Sequence, residues 1–338
     1  PPPPTYAQVP LGGRHGGICM RKKTNLIKRG TIDSMKKRLI SLFLAFDMLL
    51  SLFPISAFAE TPSEQPVVKV RSAQQLLGAV QAINLNGDNN TISLENNITL
   101  ENGEEIKLTR GETTILGNGH TISGGRNQTL WVSDSAVLNL GRQDGTDKLT
   151  FEGNDQSITA VSVSGQAELN VYEGVTIENY HNSGVKVGAG AAFTMNGGTI
   201  QNCSASNGGG VAVCGWRNGN TQEVTPAGFT MSDGTIRDCI ATKKGGGVAA
   251  DYAEVTISGG SIENCSAVQG GGINFEDGTL IMSGGSIDGC SASSSYTGGG
   301  GIALLNTAAD LHLTLTGGSI TNNQADNGGG GICVMSTG

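Results

Sequence analysis

Aromatic and charged residues are scarce in this chain of 338 residues, at 4% and 15% of the total. Together with 53 glycines, this composition argues against a typical globular enzyme. The chain is not of the disordered class either, because hydrophobic residues make up 37% of it and recur in a strict pattern. The composition therefore predicts an ordered protein with an unusually regular plan.

Long apolar runs are also rare, and the clearest lies near the N-terminus, where it fits a signal peptide. Basic residues 36–38 follow Met35, an apolar stretch follows them, and Ala57 and Ala59 form a small-x-small cleavage signal. A transmembrane anchor is the alternative, but the stretch is short for a span and Pro54 interrupts its end. We therefore expect export and cleavage before Glu60.

Few basic residues remain once residues 1–59 are removed. That part holds nine of the 21 Lys and Arg and two of the 29 Asp and Glu, so 12 basic and 27 acidic residues remain, a net charge of −15. An acidic exterior argues against nucleic acid and anionic lipid as partners. The prediction is a secreted, extracellular protein at the surface of a bacterium, with no membrane insertion after cleavage.

Five copies of one pattern occupy residues 193–334. The clearest reads VTISGGSIENCSA over residues 255–267, followed by GGGINF over residues 270–275. Each copy holds three short runs of alternating apolar and polar residues separated by glycine turns, which is typical of strands with one buried face. Strands of one copy bury their apolar faces by pairing in parallel with those of the next copy. The pattern predicts an all-β fold, a right-handed parallel β-helix with three short strands per turn.

The pattern continues upstream in weaker form, over residues 114–125 and 169–187. Before it, residues 72–83 carry apolar residues at helical spacing after Ser72, a candidate N-cap, and predict an amphipathic helix that caps the coil. No second cap is evident, so we expect a fragment of a longer protein. The predicted divisions are 1–34, an over-long gene translation or disordered leader; 35–59, signal peptide; 60–67, linker; and 68–338, a C-terminally truncated parallel β-helix.

Two motifs resemble known families. The run TILGNGHTI at residues 114–122, with the helix before it, resembles the pectin-lyase-like β-helix superfamily. The pairing of Ile-x-x-Cys with Gly-Gly-Gly-Ile is similar to the repeats of polymorphic outer-membrane adhesins, with Ile for Phe and usually Cys for Asn, which Asn323 retains. The resemblance covers about residues 68–338 and implies the fold. It implies no single activity, because this superfamily holds lyases, hydrolases and adhesins.

Cysteine recurs three residues after the repeat isoleucine. There is no Cys-x-x-Cys pair and no histidine at ligand spacing, so zinc is not expected. Side chains in register on parallel strands point the same way, which disfavours disulfides. We expect these thiols to be free, buried and packed as small hydrophobic groups. No cofactor is predicted, with calcium left open; the four residues are Cys203, Cys239, Cys265 and Cys290.

The residue after each repeat isoleucine should point outward, and three of these residues are candidates for catalysis. Glu263 and Asp288 should be neighbours on consecutive turns, with Arg237 one turn away. Two close carboxylates can share a proton or a calcium ion, as a polysaccharide lyase would require. The alternative is a solvated face with an ion pair.

Insertions between copies are candidates for binding. One holds Trp216 and Arg217, and another holds Tyr296. An exposed tryptophan suits a sugar ring or a protein hot spot, although the same side chain could pack down on the coil.

The predicted function is therefore a secreted or cell-surface module that binds without catalysis, as an adhesin-like domain or rigid stalk. Its partner would be a glycan or protein of a host or cell surface. The alternative is a carbohydrate-active enzyme, a polysaccharide lyase or glycosidase, which would need a clustered set of acidic and basic side chains along one strand face.

Overall fold

The computed structural model describes residues 67–336, apart from residues 102, 155–157, 296–297 and 307–310, and describes residues 306 and 336 by their backbone alone. The predicted leader, the signal peptide, most of the linker and Tyr296 lie outside the described residues. The described part is mostly β-strand with one α-helix. It is an all-β solenoid of parallel strands, in agreement with the fold class that the repeats predict.

The helix α1 (Ala73–Asn86) begins where the sequence predicts. The side chain of Ser72 accepts a hydrogen bond from the Gln75 N–H at 3.3 Å and so caps the first turn. The helix ends at Gly87, whose φ of 74° lies in the left-handed region that glycine adopts at low cost. The buried residues Leu76, Val80 and Ile83 line one side of α1 and join the same hydrophobic core as the strands.

Three faces make up the solenoid, and on each face every strand pairs in parallel with the strand one turn away. Two strands, Ala192–Gln201 and Ala227–Arg237, run from the first face onto the second. Two others, Val248–Ile257 and Ile273–Met282, run from the third face onto the first. The other strands of the first face are Val67–Val70, Asn90–Leu94, Glu112–Leu116, Val137–Leu140, Glu168–Val171 and Leu311–Leu315.

The second and third faces follow in chain order within each turn. Further strands of the second face are Ile98–Leu100, His120–Gly124, Leu149–Glu152, Val175–Glu178, Ser261–Glu263, Ser286–Asp288 and Ser319–Thr321. Further strands of the third face are Ile106–Leu108, Gln128–Val132, Thr159–Val163, Val185–Gly188, Val211–Cys214, Ile302–Asn306 and Ile332–Ser336.

Short strands absent from the sequence prediction form a fourth sheet at the corner between the second and third faces. Its alanines stack in register, as Ala205 pairs with Ala241 and Ala267 with Ala292. The side chain is small enough for a tight corner, and the backbone there still pairs between turns. The strands are Ser204–Asn207, Ile240–Lys244, Ser266–Ala267, Ser291–Ala292 and Gln324–Ala325.

Two minor pairings complete the strands. Trp216–Arg217 and Val224–Thr225 pair antiparallel as a hairpin, and Gly298–Gly299 pairs in parallel with Gly328–Gly329.

Identical side chains stack inside the solenoid. The repeat isoleucines align in register on the second face, since Ile200 pairs with Ile236, and Ile236 with Ile262. On the first face the rings of Phe193 and Phe229 stack with their centroids 5.1 Å apart. A parallel in-register pairing places like side chains one strand spacing apart, so the strict repetition of inward residues produces this core.

The glycine runs are required by close backbone contacts. A Cβ on Gly247 would lie 2.7 Å from the Gly272 carbonyl oxygen and 3.4 Å from the Cys265 sulfur. Gly270 has a φ of 64°, and a Cβ there would lie 2.2 Å from the Ile273 carbonyl oxygen. Only glycine therefore fits these positions without displacing the backbone nearby.

Candidate functional site

The three predicted catalytic residues lie side by side on the second face. Arg237 pairs in register with Glu263, and Glu263 with Asp288. The Arg237 guanidinium forms an ion pair with its sequence neighbour Asp238 at 3.3 Å, and each of these side chains is a little under half exposed. Asp238 has a φ of 55°, which marks the bend after the strand.

Asp288 is held as a carboxylate by its neighbours. One oxygen accepts hydrogen bonds from the Thr321 hydroxyl at 2.6 Å and the Asn322 amide at 2.7 Å. These two bonds hold the pKa of Asp288 below its usual range. A general acid requires the opposite shift, so the direction at Asp288 favours the alternative reading of this row, an exposed polar surface.

The four repeat cysteines are buried in a column and are free thiols. Each donates to the backbone carbonyl two residues before it, as Cys239 does to Arg237 at 3.3 Å and Cys265 does to Glu263 at 3.2 Å. A hydrogen bond with the neighbouring Cys239 thiol, together with burial, raises the pKa of Cys203. At Cys290 the hydrogen bond with the Cys265 thiol instead lowers the pKa. The four thiols are free and buried, as predicted. In the described part of the chain, no group of three or more His, Cys, Asp or Glu is placed to hold a metal ion.

The two binding candidates that can be placed lie on the hairpin. Trp216 is 55% exposed, and Arg217 is partly buried. The exposed fraction corresponds to the first of the two alternatives for this tryptophan, an indole ring open to solvent. The hairpin stands away from the charged row of the second face, because it follows a third-face strand that ends at Cys214.

A groove of about 650 Å³ lies on the first face, among the early turns, and it was not predicted. Its floor is a row of outward side chains in register: Thr91, Thr114, Asn139 and Asn170. The Asn170 amide donates to Asn139 at 3.0 Å, and the Asn139 amide donates to the Glu112 carboxylate at 2.9 Å.

Arg142 and Tyr172 follow two neighbouring first-face strands and line this groove, as does Glu168. The groove therefore combines a cationic donor, carboxylate acceptors, amides and a partly exposed ring. The same row continues as Thr194, Thr230 and Thr256 in the repeats. That continuity is the signal by which sequence reasoning could have found the groove floor.

A second unpredicted cluster lies in a cleft on the third face. Asp251 and Glu276 are in register on neighbouring strands, and the Lys244 ammonium of the fourth sheet forms an ion pair with Glu276. Asn274 donates to the same carboxylate at 3.2 Å. These residues and Cys214 line a pocket of about 120 Å³.

The environment of Asp251 changes its proton affinity. Burial, and then the negative charges of Glu276 and Asp277, raise the pKa of Asp251 to about 6, while Lys244 opposes the shift. A carboxyl group that titrates near neutrality inside a cleft is a functional candidate on physical grounds. The cleft also adjoins a pocket of about 420 Å³ that contains Lys186.

Neither a family model, nor a curated protein, nor a solved structure matches the chain. Among the described residues, no helix combines the length and apolar character needed to cross a bilayer.

Proposed function

We propose that this protein is a secreted or cell-surface module that binds a glycan along the first-face groove, without altering it chemically. The observation that carries the proposal is the groove itself. Hydroxyl and amide groups line its floor at the spacing of successive strands, and Arg142 and Tyr172 line it as well. Sugar hydroxyls both donate and accept hydrogen bonds, so a regular row of hydroxyls and amides suits them.

The strand spacing also favours a chain-like ligand. Neighbouring side chains of the row are about 4.8 Å apart, because they belong to parallel strands of one sheet. A linear oligosaccharide that runs along the solenoid axis would meet an equivalent group at each turn. Arg142 suits an acidic sugar, since a guanidinium pairs with a carboxylate through two parallel hydrogen bonds.

The test is a calorimetric titration of the full chain with neutral and uronic-acid oligosaccharides. We expect binding to at least one of them, and we expect Arg142→Ala or Tyr172→Ala to weaken it about ten-fold, or 1.4 kcal/mol. Arg110→Ala is the matched control, because Arg110 is exposed and does not line the groove. Equal loss in the control, or no binding by the wild type, would contradict the proposal.

A carbohydrate-active enzyme is the second candidate, and one observation favours it. Asp251, with its raised pKa, lies in register with the ion-paired carboxylate Glu276, and a carboxyl group of raised pKa beside a second carboxylate is an arrangement that suits acid–base catalysis. Incubation with acidic and neutral polysaccharides, with and without calcium, would detect it. If the wild type releases new reducing or unsaturated ends and Asp251→Asn does not, the function is catalytic and the binding proposal is wrong.

The finer features of the fold belong to the same proposal. We take the solenoid to be right-handed, because crossovers between parallel strands are right-handed in nearly all proteins. We take α1 to cap the core, since solenoids need a polar outer surface at their ends. The pectin-lyase-like resemblance, export through the signal peptide and an adhesin-like role at a cell surface accompany these as proposals.

A further inference from the structure

The third-face cleft is deepest in the middle of its floor, where the side chains are small. Lys186, Ala212, Ala249 and Asn274 occupy the same outward position on four successive strands. Two short alanines between two longer polar side chains create a trough along the solenoid axis. The pockets of about 420 and 120 Å³ form one cleft, because Asn207 and Cys214 line both.

One end of the cleft is rich in hydrogen-bond acceptors. Asn274 is buried to all but 2% of its surface, and within the described structure nothing donates a hydrogen bond to its Oδ1 atom. Asp251 lies beside it, partly buried, on the preceding strand. A buried acceptor without a donor is unfavourable, so this end is suited to a ligand group that brings several N–H donors.

The other end presents a cation without an anion. The Lys186 ammonium donates to the Asn182 side-chain oxygen at 2.8 Å. No carboxylate of the described residues forms an ion pair with it. Burial lowers the pKa of Lys186, which means that the charged form is disfavoured where it stands. An anionic group of a ligand would stabilise that charge.

The two ends are separated by a distance that a short peptide spans. Lys186 and the strand of Asp251 are two strand steps apart, which amounts to about 10 Å along the axis. An extended peptide covers about 3.3–3.6 Å per residue, so about three residues bridge the ends. The alanine floor leaves room for a peptide backbone between them.

We propose that the third-face cleft binds a short zwitterionic peptide of about three residues. The terminal ammonium lies between Asp251 and Asn274, and the terminal carboxylate lies on Lys186. The site is on a different face from the glycan groove and does not depend on it.

The charges of the cleft fit this occupant. Glu276, Asp277 and Asp251 outnumber Lys244 at the acceptor end, so a positive ligand group is attracted there. A ligand with opposite charges at its two ends would relieve the unfavourable charge of both Asp251 and Lys186. Neutral sugars would relieve neither.

Triglycine is the probe that tests the proposal, with the full chain titrated by calorimetry or NMR at pH 7. We expect triglycine to bind at least ten-fold more tightly than N-acetyl-triglycine, which lacks the ammonium, and triglycinamide, which lacks the carboxylate. Equal affinity for the three compounds, or no binding of triglycine at millimolar concentration, would overturn the proposal.

Two variants assign the ends. Asp251→Asn should abolish the preference for triglycine over N-acetyl-triglycine and keep the preference over triglycinamide. Lys186→Met should do the reverse. Glu254→Gln and Lys243→Met are matched controls, because both residues are exposed and outside the cleft, and both controls should bind as the wild type does. An equal loss in variants and controls would overturn the assignment.

Proton release on binding distinguishes a ligand contact at Asp251 from a purely structural role of this residue. Asp251 is partly protonated near pH 6, and a bound ammonium favours the carboxylate, so binding at pH 6 should release protons. Titration in two buffers of different ionisation enthalpy measures this release. Glu276, Asp277, Lys244 and the Cys214 thiol also face this carboxyl group, and Asp251→Asn should abolish the release if it comes from Asp251. Release that persists in the variant contradicts the proposed site.

Discussion

The N-terminal segment of the solenoid, residues 67–190, and the repeat segment, residues 193–334, fill the same corner by different means. In four of the five repeats, the position three residues after the isoleucine holds a small cysteine, and a strand of the fourth sheet follows. In the N-terminal segment the corresponding residue after Ile177 is Tyr180, fully buried. One large side chain there does the packing that several small ones and a short strand do in the repeats.

The buried hydroxyl of Tyr180 is also hydrogen-bonded. Thr129 donates its hydroxyl proton to the Gly124 carbonyl at 2.6 Å, so the Tyr180 hydroxyl donates to Thr129, at 2.9 Å. Burial raises the pKa of Tyr180, which keeps the ring neutral. The corner of a solenoid must be filled without cavities, and its buried polar atoms must be hydrogen-bonded. Different sets of side chains can meet these two requirements.

The largest expected effect comes from giving the N-terminal segment the corner of the repeats. Tyr180→Cys removes most of a buried ring and leaves a cavity, so the free energy of unfolding should fall by about 3–5 kcal/mol. Urea denaturation measures it. Cys203→Ala, at the equivalent position one turn away, is the control variant. Its free energy of unfolding should fall by about 1 kcal/mol. Equal losses in the two variants would show that the corner of the N-terminal segment is not filled by Tyr180.

The second prediction concerns the cysteine column of the repeats. The side chain of Cys265 packs against Gly247, so Cys265→Leu adds volume at a close contact. The free energy of unfolding should fall by about 1–3 kcal/mol through overpacking. For Cys265→Asn the free energy of unfolding should fall by less than about 1 kcal/mol, because Asn323 already occupies the equivalent position one turn after Cys290. There its amide donates to the Ile287 carbonyl at 2.9 Å and its oxygen accepts from the Cys290 N–H at 2.8 Å.

Urea midpoints of the two Cys265 variants, with unchanged slopes, decide this prediction. A greater loss for Asn than for Leu would mean that the column depends on apolar packing alone, and that Asn323 is tolerated only at its own turn.

The third prediction is a pH dependence that arises from Asp251, in the repeat segment. The pKa of Asp251 is about 6 in the folded chain, above its ordinary value of 3.8, so the folded state binds the extra proton between these values. Its contribution to stability is therefore present below about pH 4 and is lost as the pH rises through 6. With solvent screening of this partly exposed group, the loss is about 1 kcal/mol.

Thermal unfolding of Asp251→Asn against wild type, from pH 4 to pH 8, measures this contribution. The groups that face Asp251 are Glu276, Asp277, Lys244 and Cys214, and they are present in both proteins, so the difference between the two curves isolates Asp251. The variant should gain stability relative to wild type as the pH rises. Glu254→Gln should show no such trend, and a flat difference for Asp251→Asn would contradict the shift.

The smallest effect is expected at the hairpin that interrupts the repeats. Trp216 is largely exposed, so Trp216→Ala should change the free energy of unfolding by no more than about 0.5 kcal/mol. A calorimetric melting curve tests it. A loss of 2 kcal/mol or more would show that the indole packs on the solenoid and stabilises the repeats.

Inward residues were predictable because they repeat. The isoleucine row, the cysteine column and the amphipathic side of α1 all follow from periodicity, since a residue that packs against its own copy must recur. The fourth sheet was not predictable, because three of its five strands have only two residues, too few to show an alternation of apolar and polar side chains. The cleft was missed for a related reason: Ala212 and Ala249 have no chemistry of their own, and they matter only as the low floor between Lys186 and Asn274.

The sequence by itself determined the class of the fold, because alternation, glycine turns and a recurring copy leave parallel stacking as the way to bury the apolar faces. Tertiary structure alone decided where chemistry can occur. Register brings Asp251 beside Glu276, and the corner strand brings Lys244 to the same carboxylate. Outward side chains are under no packing constraint to repeat, so their grouping depends on which strands become neighbours, and pairing between turns sets that.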